Sequence, residues 1–219
     1  MHKLFNILIP IGVFIVLLPV LVAYLKKTQL SKAQRLLALM LGIVAANQLV
    51  AFALRKFVGT TNLPLYHFYT LIESVLLLMV LQFRLKALLN PRFFTTLAIL
   101  LGGFTIGNAI FIQGLFTLPT YSRTAEASVM VLLTGVYFYQ VTSEMKIRQL
   151  ERSFWFWLNS GLMVYFAGNL LLFIFSNILA QDEVLHYALW SIHAFFNIML
   201  YIVYSIALLC KDPISSKSS

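Results

Sequence analysis

The stretch His186-Tyr-Ala-Leu-Trp-Ser-Ile-His-Ala-Phe-Phe-Asn-Ile-Met-Leu-Tyr-Ile-Val-Tyr-Ser-Ile-Ala-Leu-Leu209 decides the fold. At about 100° per residue, a helix places His186, Trp190, His193, Asn197, Tyr201 and Tyr204 within an arc of roughly 80°. The other faces are mainly Leu, Ile, Phe, Val and Ala. Such a helix meets lipid or packed helices around most of its surface, and its one polar line points elsewhere. That line either hydrogen-bonds to neighbouring helices or faces a cavity.

Working outward, the same apolar character recurs. Hydrophobic residues make up 61% of the 219-residue chain and charged residues 11%, a balance foreign to a soluble domain of this length. Seven stretches match the roughly 20 residues that cross a bilayer core. They are Leu4–Leu25, Leu36–Leu54, Pro64–Phe83, Phe93–Gln113, Ser122–Val141, Ser153–Leu179 and His186–Leu209. The expected architecture is an all-α, polytopic membrane protein. Residues 1–210 form one seven-helix transmembrane domain, and 211–219 form a short cytoplasmic tail.

The net charge of +9 is arranged by topology. Lys26, Lys27, Lys32, Arg35, Arg84, Lys86, Arg92, Lys146, Arg148, Arg152, Lys211 and Lys217 fall on one side of the spans. Lys3, Arg55, Lys56 and Arg123 fall on the other. The positive-inside rule makes the richer side cytoplasmic, which puts the N-terminus outside and the C-terminus inside, with the cell inner membrane as the expected location. Nucleic acid is not an expected partner; the lipid bilayer is. The first apolar run lacks a small-x-small cleavage site and runs into Lys26-Lys27, so it is expected to stay as a helix. Pro10 and Pro19 should bend it. The lone Cys210 has no disulfide partner within the chain.

The polar residues inside the spans carry the functional reading. Tyr66, Thr70 and Glu73 share an arc of about 60°, with His67 and Tyr69 beside them. Glu73 lies roughly 13 Å in from Pro64. A carboxylate at that depth costs on the order of 2.5 kcal/mol or more without a partner. Gln48 and Arg55 share a face; Arg55 either snorkels to the headgroups or turns inward to a carboxylate. Arg123 and Glu126 are spaced for an i,i+3 ion pair. Gly103 and Gly107 form a small-xxx-small pair expected to allow close packing within the bundle, or dimerisation. Phe154-Trp-Phe-Trp157 reads as an interfacial aromatic anchor.

With the topology set, Gln48, His67, Glu73, Asn108, Glu126, Asn169 and His193 all fall in the outer half. That asymmetry predicts an outward-facing pocket. Its candidate residues are Gln48, Arg55, Tyr66, His67, Thr70, Glu73, Asn108, Arg123, Glu126, Asn169, Trp190, His193 and Asn197. In the leading reading Glu73, His193 and Asn197 hold a small-molecule ligand, Trp190 stacks on it, and Arg123 and Arg55 balance charge. No cofactor is then needed.

The alternative is a zinc site using His67, Glu73 and His193, with Glu126 and His186 as further candidates. It would make the protein a metal-dependent intramembrane lipid hydrolase. A third use, proton or ion movement through Glu73 and Glu126, lacks the internal repeat usual for transporters. The last helix has no lysine between His186 and Cys210, which excludes a retinal linkage.

Three segments carry a resemblance: Leu65-Tyr-His-Phe-Tyr-Thr-Leu-Ile-Glu73, Phe154-Trp-Phe-Trp-Leu-Asn-Ser-Gly-Leu-Met-Val-Tyr-Phe-Ala-Gly-Asn169 and His193-Ala-Phe-Phe-Asn-Ile-Met-Leu-Tyr-Ile-Val-Tyr204. Together they resemble a group of small seven-helix membrane proteins of Bacteroidota, whose motifs carry no assigned chemistry. The group is similar in plan to the membrane region of seven-helix sensor histidine kinases. That resemblance implies a sensory module. With only the Ser/Lys-rich stretch 211–219 after the last span, its output would go to a separate cytoplasmic signalling protein. Seven-helix zinc hydrolases of the ceramidase type use a denser histidine set than this chain has.

Overall fold

The computed structural model describes residue 8 and residues 10–144, 149–179 and 183–212. Lys3, Asn6, Lys146, Arg148, Gln181, Asp182, Lys217, most of the tail and the side chain of His186 lie outside the described residues.

Local chemistry sets the helix boundaries. The first helix, α1, runs over Pro10–Leu25. Its α-helical bonding is interrupted at Ile15 and Val16 and resumes over Leu17–Leu25. Pro19 has no N–H for the Ile15 carbonyl, and Leu18 N takes that carbonyl at 3.0 Å instead. Helix α2 (Lys32–Ala53) starts at a capping box: Ser31 Oγ accepts from Gln34 N, and Gln34 Oε1 accepts from Ser31 N. It widens into a π turn over Leu54–Val58, which Gly59 stops with a φ of 71°. Helix α3 (Leu63–Leu85) opens with Pro64 in its first turn, as expected. Helix α4 (Pro91–Gly107) is capped by Asn90 and also ends in a π turn, Asn108–Ile112. Helices α5 (Thr120–Glu144), α6 (Phe154–Leu179) and α7 (Glu183–Leu209) follow.

Successive helices alternate in direction, and α1 closes a ring by packing against both α2 and α7. Around the ring α2 meets α3, α3 meets α4 and α5, α5 meets α6, and α6 meets α7. Leu77, Leu78, Val80 and Leu81 of α3 are fully buried, which places that helix in the interior. The contacts of Lys26, Gln34, Glu151 and Phe154 with residues 209–211 gather the basic stretches 26–35, 151–152 and 211 at one end of the bundle.

Among the described residues, five helices are long and apolar enough to cross a membrane: Lys32–Val58, Leu63–Leu85, Pro91–Ile112, Phe154–Ser176 and Tyr187–Leu209. This points to a membrane protein. Two of the seven expected spans are not among them: the described part of α1, Pro10–Leu25, is a shorter apolar helix, and α5 is less apolar. The outer surface is apolar all the same, with Ile99, Leu100, Leu132, Leu171 and Phe111 exposed.

Two packing expectations are corrected. Space is open where a Cβ would stand on Gly103 and Gly107, so neither mediates close approach within the bundle. The close approaches belong to Gly161 and Gly168 of α6, where a Cβ would stand 2.8 Å from Val203 and 2.5 Å from the Phe196 ring. The aromatic run at 154–157 is likewise only partly an anchor. Phe154 and Trp155 are buried, and Trp155 Nε1 donates to Asp212 Oδ1 at 2.9 Å. Trp155 therefore clamps the end of α7, and Trp157 stays partly exposed.

Candidate functional site

At the end opposite the basic connections, six helices surround a cavity of about 400 Å³. A volume of that order holds a small organic molecule. Among the residues singled out from sequence, Gln48, Arg55, Tyr66, Arg123, Trp190, His193 and Asn197 line it. The lining runs on α2 from Asn47 to Lys56 and on α7 from Trp190 to Asn197. Gln48 Nε2 bonds Tyr201 OH at 3.0 Å, one turn beyond Asn197, and so ties α2 to α7 beneath the cavity. Arg55 and Lys56 are exposed and stand at its edge.

Behind one wall lies a charge cluster. Arg123 Nη1 donates to Glu73 Oε2 at 2.5 Å and to Glu126 Oε2 at 2.6 Å, and Nη2 donates to Tyr165 OH at 2.9 Å. Tyr69 OH donates to Glu73 Oε1 at 2.7 Å. The guanidinium carbon is 5.2 Å from the Tyr69 ring and 5.0 Å from the Phe173 ring, so the cation is held between two aromatic side chains. Glu73 and Glu126 are buried, at 2% and 0% exposure, and do not line the cavity. The partner that Glu73 requires is therefore Arg123 from α5. Arg55 takes neither carboxylate: among the described residues, the ion pairs are those of Arg123.

A second fixed group is His193. Its Nδ1 lies 2.7 Å from Asn169 Oδ1, and Asn169 Nδ2 donates to the Tyr165 carbonyl at 2.7 Å. A carbonyl only accepts, which fixes the amide orientation and makes Nδ1 the protonated nitrogen. In the neutral ring Nε2 is then a bare acceptor. Trp190, Phe173 and Tyr165 surround the imidazole, with ring centroids 5.5, 5.7 and 6.2 Å away. Asn197 is oriented in the same manner, its Nδ2 lying 3.5 Å from the Gly12 carbonyl and its Oδ1 left as acceptor.

The remaining candidates sit elsewhere. Thr70 bonds back to the Tyr66 carbonyl within its own helix. His67 Nε2 lies 3.0 Å from the Thr117 carbonyl and fastens α3 to the loop before α5. Asn108 donates to Gln113 and Ser122, tying the π turn of α4 to the start of α5. Asn169 acts behind His193 without lining the cavity. Among the described residues, no three His, Cys, Asp or Glu side chains come together as a metal site. The trio His67, Glu73 and His193 is thus split: one binds a loop carbonyl, one is held by Arg123, and one by Asn169.

Sequence reasoning noted Tyr69 beside Glu73 without placing it in the pocket, and missed Phe173 and the α1 wall of Pro10, Gly12 and Val13. Tyr165, Asn169 and Phe173 recur every four residues along α6, a stripe that could have flagged Phe173. No comparable signal marks α1, whose contribution is backbone and small side chains.

No family model, curated protein or solved structure matches the chain.

Proposed function

We propose that the chain is a seven-span inner-membrane receptor or sensory module, with its N-terminus outside, which binds a small ligand in the cavity and conveys occupancy to a separate cytoplasmic protein. The observation that carries this reading is that one helix joins both ends. Helix α7 lines the cavity through Trp190, His193 and Asn197. Its far end is gripped by Lys26 Nζ on the Leu209 carbonyl, Gln34 Nε2 on the Cys210 carbonyl and Phe154 N on the Lys211 carbonyl. A small shift of α7 on binding would reach that grip as a rigid displacement.

The seven-span topology is supported by the surface of α5, which exposes Leu132 and Tyr139 outward while Thr134, Glu126 and Arg123 turn inward. Its low average apolarity belongs to its inner face. The basic end is cytoplasmic by the positive-inside rule.

The test is ligand-dependent protection of the α7 end. Hydrogen exchange at 207–212 is compared in purified protein with and without a compound that stabilises it. Slowed or quickened exchange there supports transmission; change confined to the cavity residues overturns it.

A further inference from the structure

We propose that the ligand of this cavity is a soluble, amphipathic organic anion that also carries a hydrogen-bond donor; this rests on the cavity being a ligand site. The charged side chains that line the cavity share one sign. Among the described residues its lining includes three cationic side chains, Arg55, Lys56 and Arg123, and no carboxylate. Arg123 is already ion-paired from behind with Glu73 and Glu126, but neither Arg55 nor Lys56 has a carboxylate partner among the described residues. Lys56 Nζ instead rests 5.4 Å from the Phe52 ring centroid.

On α7 the lining's polar atoms have a different character. His193 Nε2 and Asn197 Oδ1 are acceptors, because His193 Nδ1 and Asn197 Nδ2 are the donors of hydrogen bonds that lead, through Asn169 or directly, to a backbone carbonyl. They are one helical turn apart on the same face. A ligand that satisfies both walls presents negative charge to α2 and an O–H or N–H to α7. Between the walls the surface is aromatic and aliphatic, with Tyr66, Tyr69, Phe173 and Trp190 among its residues. An apolar, ring-sized body fits there. A cationic amine would meet Arg55 and Lys56 with like charge, and a wholly apolar compound would leave the α7 acceptors dry and unpaired.

The probe is 3-(4-hydroxyphenyl)propionate, compared with its amide, with tyramine and with 3-phenylpropionate. Binding is read as the shift of the thermal unfolding midpoint of the full chain in phosphatidylcholine nanodiscs. The hydroxylated acid is expected to bind at least about tenfold more tightly than the amide or tyramine, and more tightly than 3-phenylpropionate. The Arg55→Gln/Lys56→Gln variant should abolish the acid–amide difference and His193→Phe the preference for the hydroxyl. Lys86→Gln/Arg92→Gln, at the other end of the bundle, should change neither.

Equal or tighter binding of tyramine or the amide would overturn the anion while leaving a ligand cavity. No binding of any of the four would remove the cavity reading as well. An Arg55- and Lys56-dependent shift on adding phosphatidylglycerol, not reversed by the acid, would move the anion from a soluble compound to a lipid headgroup and overturn the soluble source.

Discussion

Arg123 holds two carboxylates from two helices in a region with almost no solvent access. Its neutral replacement, Arg123→Gln, leaves Glu73 and Glu126 buried without a cation. The expected loss is about 3–5 kcal/mol of stability, measured as denaturant unfolding in detergent. Adding Glu73→Gln and Glu126→Gln to that variant should restore much of the loss, because the charges are then removed together. At Asn169 the effect is on a proton rather than on stability. Nitrogen NMR of the wild-type protein should show His193 protonated at Nδ1, and Asn169→Ala should yield a mixture of tautomers. A single unchanged tautomer in that variant would contradict the carbonyl–amide–imidazole chain. From sequence, the depth of Glu73 required a partner but could not choose between Arg55 and Arg123. Depth is set by counting residues, whereas pairing depends on which helices are neighbours.

At the level of helices, the contrast between glycines gives the sharpest test. Gly168→Ala would push a methyl into the Phe196 ring and separate α6 from α7, costing about 1–3 kcal/mol. Gly103→Ala meets open space and should be neutral or stabilising by about 0.5–1 kcal/mol through helix propensity. Comparing the two midpoints checks both. The helices themselves were legible because a 20-residue apolar run has few alternatives, and their centres fall where the hydropathy places them. The glycine roles were not legible. Spacing says that two small residues share a face, but not whether that face looks at a neighbour. The start of α2 was placed late, at Leu36, although Ser31 and Gln34 spell out a capping box four residues earlier.

At the scale of the whole molecule, the gathering of polar residues toward one end was readable, and its division was not. The expected single pocket separates into a cavity lining, a charge cluster behind it, and a set of loop fasteners at His67 and Asn108. Their membership depends on helix rotation and ring order, which no single helix encodes. The proposed orientation can be checked by labelling. Cys210 should react with a membrane-impermeant maleimide only in inverted vesicles. A Thr60→Cys substitution in a Cys210→Ala background should react only from the periplasmic side of intact spheroplasts. Reaction of both positions from the same side would contradict the alternating arrangement of the helices.

The closure of the ring by α1 bears on how the molecule is made. During synthesis α1 finds one of its two neighbours, α2, at once and the other, α7, only after the helices between them have been made. Until then the Gly12 carbonyl lacks Asn197, and the future cavity stands open toward the bilayer. A chain stalled or truncated before α7 therefore shows the insertion machinery and membrane proteases the buried Arg123–Glu73–Glu126 cluster from its unfinished side. Arrival of α7 is the step that closes the ring against α1.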